Sequence, residues 1–426
     1  MKDTAQSEKG QLGEDFVNKI AFNSFLKYWC FPGPLDIIQD NKEICDLLIV
    51  FDSVCIIVSV KNYDFGGDYN KYFKKTIGKA NRQIIGAEKK LFGDRITLLK
   101  HPERNAEEFP KETITKTYRI IVNLNTNVKY YQTSYVYKGK QFTVMDSMAW
   151  QTSLAELNTV PDFIDYIDNR TTLFKNFPAF ILPREEYDFS ESDGIQLMSE
   201  LDKFIYDNDG NSKLSIVSGT EMDLIALYIN NDFKFPSKLI KNEADILNIK
   251  IDGEWDKFLN SKLHKAKNEL EQEGYFIDQL VREMIINSEN GEYLAKMFFK
   301  LNRIERSIFA KRYLEYHNNI SSSKLRIKFN RTHARFGSLN IVFVYFEDDL
   351  PKNELDDLVE LSLFHFSYLH DFQCGEIGLL GVSNSFNNFI FGYMQGNVSM
   401  SKLEIEELEN DFKYIDWKIK TRPNPQ

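Results

Sequence analysis

The sequence predicts an α/β chain of several domains. Two β-rich runs, 44–51 (ICDLLIVF) and 54–61 (VCIIVSVK), stand back to back across Asp52-Ser53, and an amphipathic stretch follows at 71–92. From about 255 to 318 the pattern is mostly helical and heavily charged, with an interruption near 287–291. Between 324 and 400 it turns mixed again, with SLNIVFVYF as a strong strand, an acidic helix at 352–370 and the glycine-punctuated run GEIGLLGVS. Strand runs alternating with helical runs are the mark of α/β units. The 426 residues suffice for two or three domains. These are expected at 1–178 (a mixed sheet flanked by helices), 179–322 (mainly helical) and 323–426 (α/β, serving recognition or regulation).

In chain order, Leu12, Phe16, Ile20 and Phe25 recur at helical spacing and predict a helix over 11–28, broken by Pro32-Gly33-Pro34. The runs 44–51 and 54–61 predict a hairpin, and counting back from its turn sets Asp46 opposite residue 59. In the stretch 71–92, Phe73, Ile77, Ala80, Ile84, Ala87 and Leu91 share one helical face. Strands are expected at 117–123 and 141–145, then a helix entered through Thr159-Val160-Pro161, with Thr159 as N-cap and proline in the first turn.

Composition excludes several classes. A hydrophobic content of 42% with 27% charged residues fits a soluble globular protein, and no apolar run reaches the length a membrane helix needs. The amino terminus lacks the apolar stretch of a secretory signal, so a cytoplasmic protein without membrane contact is expected. Cys30, Cys45, Cys55 and Cys374 have no metal-binding spacing and read as free thiols in a reducing compartment. His365 and His370, five apart, do not share a helical face as two metal ligands would. A net charge of −10 argues against non-specific coating of nucleic acid. The stretch from Lys71 to Lys90 nevertheless holds seven basic residues against Glu88 alone, which suits a confined phosphate-binding groove, although charged helix faces are most often merely solvated. Lys324, Arg326, Lys328, Arg331, His333 and Arg335 form a second basic run, read either as an anion site or as an edge strand that its cations protect from pairing.

A strand alternates its side chains, so Ser59 and Lys61 point one way and Val60 the other. The hairpin brings Asp46 and Lys61 to one sheet edge over an apolar floor, where unpaired charge is costly. They form either a structural ion pair or the flanks of a metal and a phosphate. An acid at a strand start (Asp46 in CDLLIVF), a second strand ending Ser59-Val60-Lys61, a preceding helix with Glu14 (GQLGEDF) and a following basic helix with Gln83 (NRQIIGA) resemble the PD-(D/E)xK nuclease superfamily. The resemblance spans about residues 10–175 and is narrowest to a bacterial branch with Ser or Gln in place of the second acid.

The resemblance implies a restriction-endonuclease-like amino-terminal domain and metal-dependent hydrolysis of phosphodiester bonds, in DNA more readily than RNA. Asp46, Lys61, Glu14 and Gln83 would be catalytic, while Asp46, Glu14 and the Val60 carbonyl would hold Mg²⁺ or Mn²⁺. Lys75, Lys79 and Arg82 would meet the phosphate backbone. Where the family carries its second acid this chain has Ser59, for which Glu14, the Val60 carbonyl, Glu43, Asp64 or Asp68 could compensate. A nuclease domain on a large unrelated remainder suggests an antiviral defence effector, with a protein partner or homo-oligomer formed through the region after 178. The alternative is a catalytically inactive module that keeps the fold to bind nucleic acid or protein.

Overall fold

The computed structural model describes residues 2–36, 38, 41–125, 127–175, 178–182, 191, 194–199, 214–241, 245–288, 291–323, 327–337 and 339–414. The chain is mixed α/β and divides into two units, residues 1–266 and 267–426.

The first unit is built on a sheet of nine strands. Helix α1 (Lys2–Phe22) leads to β1 (Cys30–Pro32), β2 (Leu47–Phe51) and β3 (Val54–Lys61). Strands β2 and β3 form the expected antiparallel hairpin, with Leu47 opposite Val58 and Phe51 opposite Val54. Asp52 turns the chain at φ +53°, a left-handed conformation that aspartate tolerates better than most residues. All eight residues of β3 are buried, as a central strand covered on both faces requires.

After β3 come α2 (Tyr69–Lys75) and α3 (Ile77–Leu91), two helices rather than the single one expected. They meet at Thr76, whose hydroxyl donates to the Tyr72 carbonyl at 2.8 Å. The predicted inward face of α3 is the observed one, with Ala80, Ile84, Ala87 and Leu91 buried. A short hairpin, β4 (Leu98–Leu99) with β5 (Glu107–Glu108), precedes β6 (Lys116–Asn123). Strand β6 lies parallel to β3, with Lys61 beside Asn123. Glu88 of α3 takes Arg119 of β6 in a forked pair at 2.7 and 2.8 Å, which ties the helix to the sheet.

Strands β7 (Tyr131–Tyr137) and β8 (Lys140–Asp146) extend the sheet, followed by α4 (Ser147–Glu156) and α5 (Val160–Leu173). Thr159 caps α5 as its sequence predicts, accepting from the Asp162 amide at 3.2 Å. The sheet does not stop at the boundary expected near 178. It continues through β9 (Ala179–Leu182), β10 (Leu214–Ser218) and β11 (Ile246–Lys250), in the order β1-β2-β3-β6-β8-β7-β9-β10-β11. Between β10 and β11 lie α6 (Glu221–Asn230) and α7 (Ser237–Ile240). Glu221 of α6 receives Arg170 of α5 at 2.5 and 3.0 Å, and both side chains are fully buried. That pair ties the added part to the rest, so β9, β10 and β11 belong with the amino-terminal sheet rather than to a helical middle region.

Helix α8 (Glu254–Leu259) follows, and the division between the units falls within α9 (Lys262–Leu280). The second unit then has a π-helical turn (Val281–Ile285), α10 (Gly291–Phe299) and α11 (Arg303–Ser321). Its four-stranded sheet runs β12 (Phe329–Phe336), β13 (Leu339–Phe346), β14 (Gln373–Ser383) and β15 (Phe389–Asn397), with α12 (Lys352–Leu369) between β13 and β14 and α13 (Lys402–Tyr414) after β15. Val359, Leu363 and Phe366 of α12 pack on Val342, Val344 and Leu379 of the sheet. Of the basic run expected to be an anion site or a protected edge, Arg331, His333 and Arg335 lie on the edge strand β12 and Lys328 just before it. Lys328 and Arg335 are exposed there, while Arg331 bonds His365 Nδ1 at 2.7 Å; Lys324 and Arg326 fall outside the described residues. Burial, with the Arg331 charge, pulls His333 down to about 3 and His365 down to about 4, so both rings are neutral.

Candidate active site

Asp46 directly precedes β2, and the hairpin register carries it to Ser59 as counted from the turn. Its Oδ2 accepts from the Ser59 hydroxyl at 3.0 Å and from the Val60 amide, and lies 3.5 Å from the Lys61 ammonium. Lys61 Nζ also donates to Ser59 Oγ and to the Val60 carbonyl, both at 2.7 Å. Asp46 and Lys61 are only 6% and 4% exposed, so two opposite charges sit in the sheet core, each held by hydrogen bonds. Burial pulls the Lys61 ammonium below its usual range, with the Asp46 charge opposing that shift.

Helix α3 delivers Gln83 to this edge. Its side-chain oxygen lies 3.5 Å from Ser59 Oγ, whose one proton goes to the nearer Asp46 Oδ2. Small Ala80 and Ala87 on the inner face let α3 approach the sheet. Between helix and hairpin lies a cavity of about 240 Å³ lined by Glu43, Asp46, Ser59, Arg82, Gln83 and Lys90 among others.

Glu14 arrives from α1, though not by the helix face expected. Leu12 and Phe16 are exposed, at 68% and 41%, and the helix buries Gly13, Val17 and Ala21 instead. Gly13 is the reason: a Cβ there would stand 2.9 Å from Asn62 Cβ and from Leu124 Cδ1. A helix packed this closely beside the end of β3 carries the next residue, Glu14, toward Lys61. Burial first, then the charges of Asp46 and Glu43, raise the Glu14 carboxyl to about 7. Burial and Asp46 raise Glu43 as well.

Two of the acids expected to compensate for Ser59 stand elsewhere. Asp64 pairs with Lys9 at the surface, and Asp68 caps α2 by accepting from the Lys71 amide at 2.9 Å. Glu43, which lines the cavity with Asp46, is the nearer replacement. The Val60 carbonyl, expected as a metal ligand, accepts from Lys61 and keeps one lone pair. Of the expected phosphate-binding residues, Arg82 lines the cavity, while Lys75 and Lys79 gather on the Tyr63 ring at 4.9 and 5.7 Å.

Among the described residues no three His, Cys, Asp or Glu side chains form a group that would enclose a metal ion. An all-protein cage is therefore not what this site offers. Magnesium, which takes one or two carboxylates and keeps most of its water, asks for less. Asp46 Oδ1 takes no hydrogen bond from the described residues, and Glu43 on the same cavity wall adds a second carboxylate. Gly86 of the cavity wall was not singled out from sequence, and Lys90 only as the end of the basic stretch; their place in the repeat that sets Gln83 beside the cavity was the available signal.

No family model matches the chain, and neither a curated protein nor a solved structure is significantly similar to it.

Proposed function

We propose that the chain is a metal-dependent phosphodiesterase of the PD-(D/E)xK type, acting on nucleic acid in the cavity between the β2–β3 hairpin and α3. The observation that carries this reading is the meeting of Asp46 and Ser59 of the hairpin with Gln83, Arg82 and Lys90 of α3 around one cavity, with Lys61 bonded to Ser59 behind it. Lys61 is a compact cation that would stabilise a phosphate oxygen gaining charge by turning a donor to it from Ser59 or Val60. Asp46 fixes that ammonium and keeps an oxygen in reserve. Gln83 can orient a water or a phosphate oxygen through its amide. Arg82 and Lys90 would hold the non-reacting phosphates. Mg²⁺ or Mn²⁺ on Asp46, with Glu43 or Glu14, would supply an acidified water and offset phosphate charge. A defence role against invading nucleic acid is the wider proposal that goes with this activity.

A second reading has its own support. Lys61 satisfies itself on Ser59, Val60 and Asp46, which is also how a structural pair would be built. The chain would then be an inactive module that binds through the same basic wall. One assay separates the two: cleavage of plasmid, single-stranded DNA and RNA in Mg²⁺, in Mn²⁺ and in chelator. The wild type is run beside Asp46→Asn and Lys61→Met, each checked for intact folding by circular dichroism. Metal-dependent cutting that falls by about 10²–10³ in both variants supports the enzyme. Wild-type silence on every substrate, or cutting that Asp46→Asn leaves intact, refutes it.

A further inference from the structure

Helix α3 contains a glycine that packing does not require. Gly86 is exposed and a Cβ there would meet no atom within 4 Å, whereas the Cβ of a residue at Gly13 would collide. Glycine inside a helix is disfavoured against alanine, so an interior glycine with open space beside it calls for another explanation. Gly86 forms part of the wall of the cavity that holds Asp46 and Ser59.

Its helical neighbours supply that explanation. At 100° per residue, Lys79, Arg82, Gln83, Gly86 and Lys90 fall within an arc of about 100°, with Gly86 near the middle. The first four are exposed and Lys90 is half-buried. Lys79 donates to the Tyr63 hydroxyl at 3.0 Å, which fixes one end of the row. Lys79 and Lys90 are about 16 Å apart along the axis. A cavity of about 240 Å³ is smaller than sites that envelop a small molecule, which run to roughly 300–1,000 Å³. Bordered by exposed Arg82, Gln83 and Gly86, it fits a backbone passing through better than a ligand enclosed.

We propose that the solvent face of α3 is a track for one DNA strand, whose phosphate backbone runs along the helix from Lys79 past Arg82 and over Gly86 to Lys90. Its ligand class rests on the phosphodiesterase reading. A single row of cations is the footprint of one backbone, and the net charge of −10 disfavours a second strand beyond it.

The test is fluorescence anisotropy of the full chain with a labelled single-stranded DNA oligonucleotide and its duplex, in chelator so that nothing is cut. Gly86→Ala should raise Tm by about 2 °C while weakening single-strand binding, since the added methyl helps the helix and obstructs the backbone. Gly86→Leu should weaken it by about tenfold or more, and Lys90→Ala should make the slope of log K against log salt concentration shallower by about 0.7. Binding unchanged in both Gly86 variants, preference for the duplex, or no wild-type binding overturns the track. A parallel assay in Mg²⁺ keeps the two proposals apart. Cutting with Gly86-insensitive binding removes the track and leaves the phosphodiesterase. Gly86-dependent binding without cutting does the reverse.

Discussion

At the residue scale the site is a set of charges held where charge is expensive. Asp46 and Lys61 share Ser59 and the backbone of Val60, so neither is buried without hydrogen bonds. Glu14 differs: its carboxyl is raised from 4.5 to about 7 by partial burial and by the acids beside it. Between those values the native chain binds a proton that the unfolded chain has released, so this contribution to stability is greatest below about 4.5 and declines as pH rises to about 7. Glu14→Gln should therefore be more stable than wild type near pH 8 in chelator, with a smaller gain near about pH 5. Thermal melts at the two values check this, and a gain equal at both would mean that Glu14 carries no such shift. The opposition of Asp46 and position 59 was legible in the sequence, because a two-residue turn fixes the register of everything behind it. The shift of Glu14 was not, since it depends on how closely α1 approaches.

At the element scale, that approach is set by small residues rather than large ones. Apolar periodicity drew attention to Leu12, Phe16 and Ile20, whereas α1 buries Gly13, Val17 and Ala21. The hydrophobic pattern reports which residues are apolar, not which gap a helix must fill, and here the gap admits only a glycine. Gly13→Leu should overpack against Asn62 and Leu124, costing about 1–3 kcal/mol in urea unfolding. The folded fraction should also lose cleavage, because Glu14 moves with the helix. A Gly13→Leu chain with wild-type stability would show that α1 is free to shift. Helix α3 was legible on its buried side, where Ala80, Ile84, Ala87 and Leu91 repeat as a packed helix demands. Its break at Thr76 was not, because the residues on both sides continue the same apolar face.

At the scale of the whole molecule, the mixed α/β character was readable from alternating strand and helix patterns, but the domain division was not. Strands β9, β10 and β11 join the first sheet across stretches of chain whose pattern says nothing about which sheet they enter, and Arg170 with Glu221 secures them there. Asp46 and Lys61 are a second buried charged pair of that sheet. Breaking such a pair by removing one partner costs about 3–5 kcal/mol, whereas neutralising both together is often harmless or stabilising. The most direct measurement therefore sets stability against cleavage in the double variant Asp46→Asn/Lys61→Met. If the pair is an active site, the double variant melts at or above the wild-type temperature and no longer cuts nucleic acid that the wild type cuts in Mg²⁺. A double variant that still cuts, or a wild type that never does, would contradict the account.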